Sequence, residues 1–391
     1  MKHVCTVVCV LALVMSLAAL GLLMTGRTAL ASASGLVKVL AVATGGAILA
    51  ALARWFANMV ERRSRNRWTL AAHPVSWLLG GASLLGVAGL ATVAGRQAVR
   101  PSLHGDWRIG IYVSAGLAPA SFSPLGPQPV LAADHVTDIA CAFVADPVLV
   151  RHEGGYALFY EAWNTRSGHG DICLSTSPDG IAWTYRGRVL DESCSLSYPT
   201  VFCHEGAWYM LPETRELGEL RLYRAIRFPD QWRFDRVLLT GAPYRDTNIV
   251  KHDDRWYLLT TAGYGEDLLV FYATDPLGPW QPHIGNPVVR NDAGHARGGG
   301  NVVAHNGVLW RFTQDVVPYY GNCVRAVAIM ALSPTDYVQR PCSSEPALQG
   351  HDDWNVRGMH TLWCVQRDDG RWLAAVDGHG QLVNTKAFWR Q

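Results

Sequence analysis

The sequence predicts an all-β fold, a five-bladed β-propeller over residues 101–391, preceded by an α-helical membrane region of three spans over residues 1–100. Three observations predict it. A strand-turn-strand register recurs at a spacing of about 50 residues, three apolar stretches crowd the first hundred residues, and charge is divided unequally between the two parts. Residues 1–100 hold ten of the 34 Lys and Arg but a single acid, Glu61, for a formal charge of +9. The remainder carries 24 basic and 31 acidic groups, or −7, so the net charge of +2 is a cancellation. A mildly acidic carboxyl-terminal part argues against nucleic acid as a partner, because phosphate binding needs a basic face. With 49% hydrophobic and 17% charged residues, the chain can bury a large core, which excludes disorder.

The apolar stretches run over about residues 4–24, 37–59 and 74–94, each close to the roughly 20 residues that cross a hydrocarbon core. The first is open to a second reading as a cleavable signal peptide, with Lys2 ahead of it and small residues at Ala29-Leu30-Ala31-Ser32-Ala33 behind it. The second and third are joined by Glu61-Arg62-Arg63-Ser64-Arg65-Asn66-Arg67, and a short Arg-rich loop stays cytoplasmic. Everything after about Arg100 is then expected on the periplasmic or extracellular face of the cytoplasmic membrane, whichever reading of the first stretch holds. Seven cysteines, Cys141, Cys173, Cys194, Cys203, Cys323, Cys342 and Cys364, lie in that part, where disulfides are permitted. Seven is odd, and spacing assigns no pairing. The chain has no C-x-x-C, and neither a metal nor a cofactor is expected.

The repeat decides the fold of the second part. Asp146-Pro-Val-Leu-Val-Arg-His-Glu-Gly-Gly-Tyr156 aligns with Tyr198 to Trp208, Asp246 to Trp256 and Gly299 to Leu309. Each is an apolar strand, a tight turn at His-Glu-Gly or its equivalent, and a returning strand. Third strands follow at Asp171, Glu219, Asp267 and Cys323, and each unit then turns through a proline and an aromatic, as at Pro178 with Trp183. Four antiparallel strands per unit, repeated radially, make a propeller blade. The fifth unit, from Met359 to Trp372, is short, and the segment Trp107 to Val113 is expected to complete it and close the ring. An open β-sandwich would not explain one register over four units.

Inner strands of a propeller converge at one mouth of the axis, which places Asp146, Tyr198 and Asp246 there. Second strands return to the same mouth, and counting 15 residues from each register position reaches Glu161, Glu213, Thr261 and Gln314, with Asp315 next. His295 and Arg297 precede the fourth inner strand and His360 opens the fifth, so all three are candidate ligand contacts. Trp163 offers a stacking face for a sugar ring. Taken singly, Asp146 before a proline is often a turn former, and Glu161 or Glu213 a solvated strand end. Trp183, Trp232 and Trp280 are expected to pack between blades. Shared register is what groups the carboxylates, and paired acids in a cleft suit glycoside chemistry, one protonated and one ionised.

Several motifs carry a resemblance: Val144-Ala-Asp-Pro147, Gly170-Asp-Ile-Cys173, Leu196-Ser-Tyr-Pro-Thr-Val201, Leu211-Pro-Glu213, Glu219-Leu-Arg-Leu-Tyr-Arg-Ala225, Pro276-Leu-Gly-Pro-Trp-Gln-Pro-His283, Ala296-Arg297 and Gln314-Asp315. Together, over about residues 107–340, they resemble the amino-terminal domain of glucosamine inositolphosphorylceramide transferases, itself similar to the five-bladed propellers of glycoside hydrolase families 43 and 32. A counterpart of the separate glycosyltransferase domain is not expected here, so the resemblance does not carry the transferase activity. Against the family 43 pattern, Asp146 matches the first-blade general base. The second-blade Asp is Tyr198, and the acid is Asp246 in place of Glu, or Glu213 from the neighbouring strand. The expectation is a membrane-anchored glycosidase-like enzyme, with Asp146, Asp246 and Glu213 catalytic and a glycan or glycolipid as substrate. The alternatives are a glycan-binding propeller without turnover and a scaffold for membrane partners.

Overall fold

The computed structural model describes residues 103–117, 122–263 and 267–384. The chain divides into the units Met1–Arg100 and Pro101–Gln391. The three expected membrane spans lie outside the described residues, among which no helix is long and apolar enough to cross a membrane.

Three short strands come first: β1 (Leu103–Gly105), β2 (Arg108–Ser114) and β3 (Ser123–Pro124). The first unit is β4 (Cys141–His152), β5 (Gly155–Asn164), β6 (His169–Ser177) and β7 (Thr184–Leu190). The second is β8 (Ser197–His204), β9 (Ala207–Glu213), β10 (Glu219–Arg227) and β11 (Gln231–Thr240). The third is β12 (Arg245–His252), β13 (Arg255–Ala262), β14 (Asp267–Ala273) and β15 (Gln281–Pro282). The fourth is β16 (Gly298–His305), β17 (Val308–Asp315), β18 (Cys323–Leu332) and β19 (Tyr337–Pro341). Last come β20 (Leu362–Gln366), β21 (Trp372–Gly378) and β22 (Leu382–Asn384).

The described chain is all-β apart from two three-residue helical turns. Each of the first four units is an antiparallel meander in chain order. The fifth is completed from the other end of the domain: β20 pairs β21, and β21 pairs β2 from Arg108↔Gly378 to Ser114↔Trp372. Turn chemistry explains the first hairpins. Glu153-Gly154, Glu205-Gly206 and Asn306-Gly307 all take positive φ, the conformation a two-residue turn requires to match strand twist.

Each inner strand touches the next, in the order β4, β8, β12, β16, β20 and back to β4, so the five units close a propeller-like ring. A cavity of about 260 Å³ is lined by residues from all five inner strands, among them Val150, Thr200, Asn248, Asn301 and Trp363. Side chains bond across the seams: Thr200 donates to the Thr247 carbonyl, and Asn301 exchanges two bonds with the backbone of Cys364. Aromatic packing fills the space between sheets. Trp232 of the second unit meets Phe159 of the first edge-on, and Phe228 of the second meets His152 of the first edge-on.

The fourth and fifth units come so close that they share one bridge, Gly300↔Leu362. A Cβ on Gly300 would lie 1.8 Å from the Leu362 carbonyl oxygen, at a φ of +151° that other residues rarely adopt. Gly300→Ala is therefore expected to open this seam and leave little folded protein. Circular dichroism and size exclusion of the full chain in detergent would check it, and a variant that melts like the parent would count against the close approach.

Candidate active site

The repeated register has a structural cause. The pairing of each of the first four inner strands with its neighbour slips at a corresponding place: between Ala145 and Val148, Ser197 and Thr200, Arg245 and Asn248, and Gly298 and Val302, with a further slip in the first between Cys141 and Val144. At these bulges Asp146, Tyr198 and Asp246 take φ of +53°, +45° and +46°. Bulges re-aim side chains, and left-handed backbone on non-glycine residues is a strain usually met at functional sites. Three successive units thus carry the same device at the same end of the ring.

Asp146 is buried and tied to the fifth unit. Its backbone N–H donates to Asp377 Oδ2 at 2.9 Å, while its Oδ1 accepts from Thr361 Oγ1 at 3.2 Å. Asp377, fully buried near the end of β21, accepts three more bonds on Oδ1: from the backbone N–H groups of His360 and Thr361 and from His360 Nδ1 at 2.8 Å. A carboxylate only accepts, so Nδ1 carries the proton and Nε2 is directed to Asp146 Oδ1, 3.8 Å away. Trp107 stacks on the His360 ring at 4.0 Å, and Tyr320 meets that ring edge-on at 5.3 Å. Burial alone would lower the His360 pKa, but Asp377 and Asp146 outweigh it and hold it above its ordinary value.

Two ion pairs belong to the same cluster. Arg297 Nε donates to Asp246 Oδ2 while its guanidinium sits 5.1 Å above the Tyr320 ring. Glu213 accepts from Arg215 Nη1 at 2.5 Å and from the Asp246 backbone N–H at 3.3 Å. Glu161 differs from these, since burial and the charges of Asp146, Glu213, Arg215 and Asp377 are the largest influences on its carboxyl. It sits against Gly170, where a Cβ would come within 2.6 Å of Glu161 Oε1.

Desolvation dominates the proton affinities here. Burial, only partly opposed by His360, raises Asp146 to about 7, with Asp246, Asp377 and Glu213 adding to the rise. Burial, then Asp146 and Glu213, push Glu161 well above the usual carboxylate range. Glu213 is raised by burial and by Asp246, with Arg215 and Arg297 opposing. Crowded carboxylates cannot all ionise, so some hold protons near neutrality.

The remaining expected site residues are placed as follows. Tyr198 is buried, its hydroxyl donating to the Gly300 carbonyl at 2.7 Å and accepting from the Gly300 N–H and Asn248, so it ties the second unit to the fourth across the axis. Gln314 is buried against the Gly298 carbonyl. Asp315 pairs with Arg325 at 2.8 Å, and His295 caps its own turn through Asp292. Trp163 stacks on Phe143 at 5.7 Å. The structure therefore groups Asp146, Glu161, Glu213, Asp246, Arg297 and His360, and gives Tyr198, Gln314, Asp315 and His295 partners within the protein. Sequence reasoning missed Asp377, Trp107, Arg215 and Tyr320. Asp377 is the fifth-unit counterpart of Glu161 and Glu213, hidden because that hairpin turns through the longer segment 367–371 and breaks the 15-residue count.

Ligating atoms of Asp146, His360 and Asp377 lie within 4.8 Å of one another, the spacing of a metal set. Both Asp377 oxygens and His360 Nδ1 are taken by hydrogen bonds, which leaves the Asp146 carboxyl and His360 Nε2 facing each other. In a second such cluster, His169, Asp171 and Asp191, the Arg188 guanidinium bridges the two carboxylates.

Comparison with known proteins agrees with the resemblance read from the motifs. The family model described as glucosamine inositolphosphorylceramide transferase 1, N-terminal, matches residues 100–379. Glucosamine inositolphosphorylceramide transferase 1 of Oryza sativa subsp. japonica is 34% identical over 304 residues, covering 71% of this chain and 40% of the rice protein. The protein of that name from Arabidopsis thaliana is 34% identical over 305 residues, with the same coverage of 71% and 40%. The chain thus spans about 40% of the length of these curated relatives. Among solved structures, a glycosyl hydrolase from Bacteroides ovatus is similar at a TM-score of 0.47 and 14% identity, over 64% of this chain and 92% of that one. An exo-1,5-alpha-L-arabinanase from a bovine ruminal metagenomic library is similar at 0.45 and 14%, over 61% and 91%. On the family match over most of its length, the chain belongs to the glucosamine inositolphosphorylceramide transferase 1, N-terminal, family.

Proposed function

We propose that this chain is a membrane-anchored, extracytoplasmic carbohydrate-active protein whose five-bladed propeller cleaves or transfers a glycosidic bond in a glycan or glycolipid. One observation carries the reading: a single buried cluster holds Asp146 at about 7 beside Glu161 pushed well above the usual carboxylate range. Glycoside chemistry needs that division, a protonated acid for the leaving oxygen and a carboxylate as base or nucleophile. Asp146, poised near neutrality, is the base or nucleophile, and Glu161 takes the acid role that sequence reasoning gave to Glu213 or Asp246. The pairs Glu213 with Arg215 and Asp246 with Arg297 set the field around them. The relatives' printed name, a glycolipid transferase, supports a glycolipid as the substrate class.

The same two ion pairs favour a second reading, a glycan-binding site without turnover, because they neutralise two of the four carboxyls at the mouth. Incubating the full chain in detergent with envelope glycans and glycolipids, and following product by NMR, separates the two. Product supports the enzyme, and saturable binding with no product supports the binder.

Anchoring rests on the apolar stretches and the Arg62 to Arg67 loop. Reporter fusions after Arg67 and after Gln391 are expected to report cytoplasm and exterior respectively. A cytoplasmic signal from the second would end the topology argument.

A further inference from the structure

A guanidinium taken from water is costly unless acceptors meet it. Around the mouth, Arg215 is met by Glu213, Arg297 by Asp246 and Arg325 by Asp315. Arg245 is the exception. It is half-buried, its Nε is buried with no hydrogen-bond partner among the described residues, and no carboxylate there forms an ion pair with it. Its backbone pairs with Thr261 in the sheet, and its carbonyl accepts from the hydroxyls of Thr260 and Thr261.

Its position makes that vacancy useful. Arg245 immediately precedes Asp246 on the bulge of β12, and its charge is felt by Glu213, Arg215, Asp246 and Arg297 together. Burial and the two neighbouring guanidiniums lower its pKa, against the pull of Glu213 and Asp246. Those two carboxyls are already paired with their own arginines, so the third guanidinium has no carboxylate of its own. Protonation of Glu161 removes a negative charge from the same mouth. An arginine presents a planar fork of donors that fits a phosphate or a carboxylate with two parallel bonds.

We propose that Arg245, flanked by Arg215 and Arg297, forms a subsite for an anionic substituent, a phosphate or a carboxylate, on the sugar that the mouth holds. This rests on the reading of the mouth as a glycan site and adds the substrate's charge class. The anion supplies the acceptor that Arg245 lacks, and its attachment to the sugar sets the distance from the Asp146 side of the mouth. A neutral sugar would leave the buried Nε of Arg245 without an acceptor, which is how a site built for a polar group rejects an analogue without it.

The test uses the full chain in detergent carrying Asp146→Asn, so that binding is read without turnover. Glucose, glucose 6-phosphate, glucuronate and inorganic phosphate are titrated by ligand-observed NMR. At least one of the anionic sugars is expected to bind about tenfold or more tighter than glucose, a difference of about 1.4 kcal/mol. Whichever is preferred distinguishes phosphate from carboxylate. Arg245→Gln should abolish the preference, while Arg245→Lys, which keeps the charge, should retain part of it and carries the comparison if the Gln variant melts early. Equal affinity for glucose and both anionic sugars in the parent would overturn the proposal, as would a preference that survives in a folded Arg245→Gln protein. Inorganic phosphate bound as tightly as glucose 6-phosphate would overturn it too, since the sugar then adds nothing. If no sugar binds but inorganic phosphate does, and Arg245→Gln abolishes it, the glycan reading fails and the anion site stands.

Discussion

Asp146→Asn is expected to lower turnover on a glycan substrate by about 10² to 10⁴, the range for removal of a positioned general acid or base. The amide keeps the shape of the side chain and the bond from Thr361, so the protein should fold. The pH dependence gives a second readout. With Asp146 at about 7, kcat/KM of the parent should rise through neutrality as the base ionises, and residual activity of the variant should lack that limb. Stability should shift as well. The native pKa lies above the ordinary carboxylate value of about 4, so the native state binds this proton more tightly than the unfolded chain does. That contribution is complete below about pH 4 and lost as pH rises towards 7. The neutral amide has no such loss, so the melting temperature of the variant relative to the parent should increase between pH 4.5 and pH 8. Full activity in Asp146→Asn would sink the proposed site, and a relative melting temperature that does not change with pH would contradict the raised proton affinity.

Asp377→Ala is expected to cost about 3–5 kcal/mol of stability, as removal of one partner from a buried charged pair does. The carboxylate receives the N–H groups of Asp146, His360 and Thr361 as well as His360 Nδ1, and none of these has water to turn to. Deleting it strands three backbone donors and an imidazole whose proton affinity Asp377 sustains. Because Asp377 joins the fifth unit to Asp146 of the first, the loss falls on the closing seam of the ring. Urea denaturation of the full chain in detergent would measure it. A variant within about 0.5 kcal/mol of the parent, the range for an ordinary surface change, would show that the network is not structural.

What the sequence by itself determined was local. Alternating apolar strands, turns at Glu153-Gly154 and Glu205-Gly206, and a common register at Asp146, Tyr198 and Asp246 depend on residues within about one unit of each other, so the repeat was legible. The count of 15 residues worked for the same reason: Glu161 lies opposite Ala145, Glu213 opposite Ser197 and Thr261 opposite Arg245. The pairing of the segment after Trp107 with the last hairpin followed from the need of a ring to close.

The tertiary structure decided which of these groups have partners. Tyr198 occupies the same register position as Asp146, yet its hydroxyl spans the axis to Gly300, 102 residues away. Arg297 reaches Asp246 from the next unit, and Asp377 meets Asp146 across 231 residues. These meetings depend on the angles between five sheets accumulating into a closed circle, and no period in the chain encodes that sum. Proton affinity follows from the same closure. A glutamate at a strand end reads as solvated until the ring around Glu161 removes the water and leaves Asp146 and Glu213 in its place.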